Sequence, residues 1–469
     1  MHMIAGVLVA AVLLSTEGGT NAPGADAFFA STSSSDYQTS FDQAPPIDIT
    51  ALLTQARGAP PMICSLASRA VAGYGWGNWS RGPISPLDDV MEDDSDGDDY
   101  NFQRGSLPAA DVNRLLEALS TNDACVREIS VQILGRQRGD LVVNGFLTRL
   151  IASDPALRQV AALGLGLVPS PKSVDPLIHA LRDPTPGVRA NSAWALGRLE
   201  SGRALSSIQN LFRDDADKVR EAAVIAAGKM DSTSSVAALI RVVRQDNSPV
   251  VRRAAAWALG QLESRESADA LTGALTQDSD ARVREMAAWA LGQLEARSAS
   301  SALANAARRD SDDRVRETAV WALAQLEDRS SVEALGNIAA TDKSSRVRGT
   351  AAWAIGQLRG NGKAPAGLIQ VLNDESEDAR LKAAWALGQI GDSTSIPAIR
   401  DALKRDQNTE VRRALIRALM RSGERSEAAL TQLLESGDPQ IREAAVRGLA
   451  GRNSFNPWPW PWPRPRPIP

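Results

Sequence analysis

One phrase returns along this chain at a fixed interval. VRRAAAWALGQLE starts at Val251, and VREMAAWALGQLE, VRETAVWALAQLE and VRGTAAWAIGQL follow at Val283, Val315 and Val347, each 32 residues after the last. An apolar residue followed by Arg marks eleven such repeats: Val126, Leu157, Val188, Val219, Val251, Val283, Val315, Val347, Ala379, Val411 and Ile441. A repeat of this length cannot close a core around itself. Each buries its apolar face only against its neighbours, so the chain must stack into a solenoid.

The repeat between Asp278 and Asp310 shows the pattern in full. From about Arg282 to Glu295 the apolar positions Val283, Ala287, Ala290, Leu291 and Leu294 recur in steps of three and four, one stripe of a helix. A polar gap at 296–300 precedes a shorter helix carrying Leu303, Ala306 and Ala307. Each repeat therefore reads as an antiparallel helix pair. Three residues before the markers stand Asp123, Asp154, Thr185, Ser248, Asp280, Asp312, Ser344, Ser376, Asn408 and Asp438, with only Ala216 off the pattern. Their side-chain oxygens suit the free N–H groups of a first helical turn. The expected fold is an all-α, right-handed α-solenoid of about eleven two-helix repeats over residues 106–451.

Composition narrows function. With 52 basic and 56 acidic residues the net charge is -4, so no bulk field favours nucleic acid. Histidine occurs only as His2 and His179, which excludes a multi-histidine metal site and weakens histidine acid–base chemistry. No catalytic residue, no metal and no cofactor is expected. The aromatic bias is unusual: 11 Trp against 3 Tyr and 7 Phe.

Asp stands five residues before the marker in eight consecutive repeats, at Asp183, Asp214, Asp246, Asp278, Asp310, Asp342, Asp374 and Asp406. With the Arg that follows each marker, this Asp…Val-Arg pattern resembles the HEAT repeat family, in the short form first noted in phycobilin lyases, over about Ser106 to Gly451. The resemblance implies a charge-assisted ladder along the stack, built from Asp183, Arg189, Asp278, Arg284, Asp310, Arg316, Asp342 and Arg348, with a structural role. It also implies that the second helices line a concave surface. Trp194, Trp257, Trp289, Trp321, Trp353 and Trp385 lie six residues after their markers, about 140° from the core stripe at ~100° per residue. Gln261, Gln293, Gln325, Gln357 and Gln389 share that side. Two readings of the Trp row stay open: rings lying across the small Ala residues of the next repeat, or a contact surface for a helix or extended peptide.

The leading functional expectation is a non-enzymatic scaffold whose partner is a protein or peptide. One alternative is a HEAT-like enzyme or chromophore-lyase type of protein, although the His–Glu pairs that deoxyhypusine hydroxylase needs for its di-iron site are missing. Another is the regulatory arm of a membrane-anchored sensor.

The flanks point to the cell envelope, the periplasm or secretion. Residues 1–27 read as a signal peptide, with an apolar run from Ile4 to Leu14 and a small-x-small site at Ala25–Ala27. No Lys or Arg precedes that run, so an uncleaved apolar anchor is the second reading. Export would allow Cys64 and Cys125 to form one disulfide; in a cytosol they would be buried thiols. Residues 28–105 read as a largely disordered Ser/Asp/Gly-rich linker in which 47–57 and 62–72 can form short helices. Its acidic stretch, Glu92 to Tyr100, fails as a calcium loop because Gln103 falls where the closing Glu belongs. In the tail, 452–469, Pro occupies every odd position from Pro457 to Pro469, which forces an extended chain. With Trp458, Trp460, Trp462, Arg464 and Arg466 it resembles the indolicidin type of peptide, which implies membrane-surface contact; a stiff spacer or insertion into the protein's own groove are the alternatives.

Overall fold

The computed structural model describes residues 48–61, 63–64, 107–230, 232–359 and 362–423, with isolated positions between 431 and 446. The N-terminal apolar run, the acidic stretch, the marker Ile441 and the Trp/Pro tail lie outside the described residues. Within them the chain is all-α, without a strand, and helices follow one another in pairs: an α-solenoid.

The chain divides into two compact parts, Met1–Ser207 and Ile208–Pro469. In the first, α1 (Ile49–Ala56) precedes the repeat helices α2 (Ala109–Ala118), α3 (Ala124–Leu134), α4 (Asp140–Leu150), α5 (Pro155–Leu167), α6 (Val174–Ala180) and α7 (Pro186–Arg198). Helix α8 (Leu205–Asn210) spans the boundary. The second part continues with α9 (Asp217–Lys229), α10 (Val236–Gln245), α11 (Pro249–Gln261), α12 (Ala268–Gln277), α13 (Ala281–Gln293), α14 (Ser300–Arg309) and α15 (Asp313–Gln325). It closes with α16 (Val332–Thr341), α17 (Ser345–Leu358), α18 (Ala366–Gln370), α19 (Glu377–Ile390), α20 (Ile396–Arg405) and α21 (Thr409–Arg421). In each part the second helix of a repeat packs on the second helix of the next: α3, α5 and α7 in one part, α9 through every odd-numbered helix to α21 in the other.

Burial goes further than a single stripe. In α11 the run Ala254, Ala255, Ala256 and Ala258 is fully buried, because this helix is covered by its own first helix, α10, and by the second helices α9 and α13 on its flanks. Small side chains let three neighbours approach at once. In α13 the expected stripe is widened by Glu285, Met286, Ala288 and Gly292, leaving Arg282 and Gln293 as the exposed positions. The first helices are shorter and keep one apolar stripe, as with Leu303, Ala306 and Ala307 in α14, entered through a 3-10 turn at Arg297–Ala299.

The expected cap residues stand one position before each described second helix. Side chains of Asp123, Asp154, Asp280, Asp312, Ser376 and Asn408 accept first-turn N–H groups, whereas those of Thr185, Ser248 and Ser344 do not. One repeat departs from the rest. Helix α18 has only five residues, and Gly367 there lies so close to α16 that a Cβ on it would overlap the carbonyl of Gly336.

Candidate functional site

The ladder joins Arg158 in the first part, and Arg220, Arg252, Arg284, Arg316, Arg348 and Arg380 in the second, to the Asp of the following repeat. Arg284 donates from Nε and Nη2 to the two carboxylate oxygens of Asp310, both at 2.8 Å, and from Nη1 to the carbonyl of Asp278 at 3.0 Å. Arg316 grips Asp342 at 2.8 and 2.9 Å, Arg348 holds Asp374, and Arg252 holds Asp278. In the first part Arg158 does the same with Asp183, whose backbone carbonyl takes a 2.8 Å bond from Arg189. Each Asp also accepts the N–H two residues on, that of the next helix's N-cap residue, as Asp310 does from Asp312 at 3.0 Å. Burial pushes Asp183, Asp278, Asp374 and Asp406 up, but the guanidinium and backbone donors outweigh it and hold all four below the ordinary carboxylate range. These groups staple repeats together.

The Trp row lies in the seams. Trp257 and Trp353 are 1% exposed and Trp194 5%, while Trp289, Trp321 and Trp385 are half-buried. In five of the six the ring edge rests on a glycine backbone of the preceding repeat. A Cβ on Gly260 would stand 2.8 Å from Cζ3 of Trp289, one on Gly292 2.7 Å from Trp321, and one on Gly356 2.6 Å from Trp385. Gly228 and Trp257 meet in the same way, as do Gly166 and Trp194 in the first part. The seam expected over Ala of the next repeat thus meets a Gly of the preceding one at these five rings, where the missing side chain makes room for the ring edge; before Trp353 the corresponding residue is Ala324. Trp194, Trp257 and Trp353 are closed to a partner in this arrangement. Over the Trp194 ring lies Arg198, 5.4 Å from the centroid, which also donates to the carbonyl of Gly166 at 3.2 Å.

The glutamines end up outside. Gln261, Gln293 and Gln357 are exposed and Gln325 and Gln389 half-buried, all in the last turns of second helices. Gln389 accepts a 3.2 Å bond from Arg359. Just beyond each last turn, Glu200, Glu263, Glu295, Glu327 and Arg359 adopt positive φ, between 46° and 52°, where Gly391 and Gly423 serve later repeats.

Two carboxyl groups escaped the repeat pattern because they occupy positions where an Ala-rich helix is covered. Glu285 is 8% exposed; burial pushes its carboxyl up to about 7 against the pull of Arg314, with Asp312 and Glu317 adding to the rise. Burial likewise raises Glu317, which accepts from the Thr350 hydroxyl at 3.2 Å and pairs with Arg346 at 3.5 Å. A polar letter two residues after the marker, Glu221, Arg253, Glu285 and Glu317 in succession, was the available signal.

Cys64 and Cys125 are joined in a disulfide, with their Cα atoms 5.4 Å apart. Among the described residues no helix is long and apolar enough to cross a membrane.

The model of HEAT repeats matches residues 143–227, 206–292, 300–366 and 365–450, more than half of the chain. The chain belongs to the HEAT repeat family. A search of curated proteins finds no match to this HEAT protein. Its fold is similar to that in the Kap95:Nup1 complex, with 14% identity, a TM-score of 0.54, and coverage of 86% of this chain and 61% of that one. A structure of Kap95p with RanGDP gives 13%, 0.51, 86% and 63% in the same order. YibA of E. coli gives 19% identity and a TM-score of 0.43 over 60% of this chain and 99% of that one. At such identities the likeness is one of fold.

Proposed function

We propose that this HEAT protein is a non-enzymatic scaffold that holds a protein or peptide segment against the last turns of its second helices. The observation that carries the reading is the exposed carboxamide series Gln261, Gln293 and Gln357, interleaved with half-buried Gln325 and flanked by the part-exposed rings of Trp289 and Trp321. A carboxamide offers both donors and an acceptor, as a peptide group does. Second helices packed ~8–10 Å apart put successive carboxamides about three extended residues from one another. A periodic ligand backbone can therefore meet the same chemistry at every repeat. The Kap95 structures of similar fold are complexes with Nup1 and RanGDP, which supports a protein partner. Export to an envelope or extracellular compartment goes with this reading and is supported by the Cys64–Cys125 bond, since disulfides persist in oxidising surroundings.

Displayed random peptides selected on the full chain test the proposal. Enriched peptides should bind at least tenfold more weakly to the Gln261→Ala, Gln293→Ala, Gln357→Ala variant, with helical signal and melting unchanged. Equal binding by variant and wild type would remove the glutamine face from consideration.

A further inference from the structure

Helix α1 belongs to no repeat. It lies against both helices of the first one, α2 and α3, and buries Ile49 and Ala56 there. The end of a repeat array has no neighbour to cover it, so a separate cap is needed. Two fastenings hold this cap, and both land on the first turn of α3. The N–H of Gly58 donates to Asp123 Oδ2 at 2.7 Å, and Cys64 is bonded to Cys125. Asp123 is the N-cap of α3, with its other oxygen accepting from Val126 N–H at 3.0 Å, and Cys125 is the second residue of that helix. The two sulfurs are unequally sheltered: Cys125 is 5% exposed, whereas Cys64 is half-buried.

We propose that the Cys64–Cys125 bond is an exchangeable latch, opened by a dithiol that attacks Cys64, and that opening it frees residues 48–64 from the end of the array. A reagent thiolate forms a bond to Cys64 Sγ, and the Cys64–Cys125 bond breaks with its electron pair leaving on Cys125. The reagent's second thiolate then attacks the mixed disulfide at its own sulfur, releasing Cys64 and closing an oxidised cyclic reagent. Two electrons pass from the dithiol to the disulfide, and its two protons finish on Cys64 and Cys125. The polarity follows from access and from the leaving group. A thiolate in the first turn of an eleven-residue helix is favoured by the helix N-terminus. The Asp123 carboxylate beside it opposes this, but backbone N–H groups of Val126, Gly58 and Cys125 already draw on its charge.

Once the bond is open, what holds α1 among the described residues is the Gly58–Asp123 hydrogen bond, buried Ile49 and Ala56, and half-buried Leu52 and Leu53. An eight-residue helix is far too short to persist alone. The cap should leave, and the first turn of α3 should loosen with it.

The test is hydrogen exchange and thiol mapping on the full chain in native buffer, before and after dithiothreitol. Ile49–Ala56 and the first turn of α3 should exchange at least tenfold faster after reduction, while α13 and α15 stay unchanged. Limiting 2-mercaptoethanol should leave its adduct on Cys64. An adduct on Cys125, free thiols with unchanged exchange at α1 and α3, or thiols that appear only when the whole chain exchanges would each overturn the latch. The Cys64→Ser, Cys125→Ser variant gives a reagent-free check: it should show the fast exchange of the reduced protein, and wild-type protection in it would count against the proposal.

Discussion

Ionisation of Glu285 should make the α13–α15 region weaker as pH rises through neutrality. The carboxyl is 8% exposed and titrates at about 7 in the folded chain, with burial as the main cause. An unfolded glutamate titrates at about 4.3. Between those values the folded state keeps a proton that the unfolded state has lost, so stability present at low pH drains away as pH rises through the window and levels off above it. A gap of roughly two and a half units is linked to about 3 kcal/mol. Glu285→Gln keeps the size of the side chain and removes the ionisation. Its advantage over wild type should therefore grow by about 2–3 kcal/mol between pH 5 and pH 8. Paired urea titrations followed by circular dichroism at the two pH values measure that difference of differences. An advantage equal at both, or a variant that loses ground at pH 8, would show that the carboxylate is stabilised in place by Arg314 and that the burial argument fails.

The rungs carry the opposite sign. Arg316→Ala leaves the Asp342 carboxylate, 8% exposed, without its bidentate partner, which should cost about 3–5 kcal/mol; a loss under about 1 kcal/mol in urea would reduce the rung to decoration. Because Asp278, Asp374 and Asp406 titrate below an unfolded aspartate, their contribution is present above about pH 4 and lost as pH falls through their folded values, so an acid titration should unstack helices there. Glu295 holds φ 48°, a strain of about 1–2 kcal/mol for a residue with a Cβ, from which the flexibility of an unfolded glycine takes back about 0.5–1 kcal/mol. Glu295→Gly should thus raise stability by about 0.5–1 kcal/mol, and a drop would mean that the carboxylate makes a contribution larger than the strain it carries.

Much of the architecture was legible because each signal was local and repeated. The 32-residue period, the cap residues and the Asp…Val-Arg spacing all report contacts that recur in every repeat. What stayed hidden depended on the neighbour. Nothing within the repeat of Trp289 says that its ring rests on Gly260 of the repeat before, since the angular position of the indole only shows that it avoids the Val283 stripe. The stripe itself was a poor guide, because a helix with Ala on several sides is buried on several sides. Glu285 reads as a solvated charge for the same reason. The positive φ at Glu263 and Glu295 carries no glycine to announce it. For Cys64 and Cys125 the sequence left pairing to depend on the compartment, and the structure places α1 so that the two meet.

Packing commits some levels of the second helices and leaves another open. Their first turns are committed to the Arg–Asp rungs, and their middle turns to Ala contacts and to Trp–Gly seams. A substitution at either level is felt by two repeats, which explains why those letters recur with so little change. Ten residues after the marker the constraint relaxes. That position reads Arg198, Lys229, Gln261, Gln293, Gln325, Gln357, Gln389 and Arg421, one residue type through five consecutive repeats and cations on either side in the sequence. Arg198 shows what a cation does there: it folds down over the indole of its own helix. With Gln there the rings differ: Trp289, Trp321 and Trp385 stay part-exposed, whereas Trp257 and Trp353 are buried. The residue at this position therefore does not by itself decide whether a ring is closed; what the five carboxamides share is their place in the last turn, where Gln261, Gln293 and Gln357 are exposed and take no part in the Arg–Asp rungs.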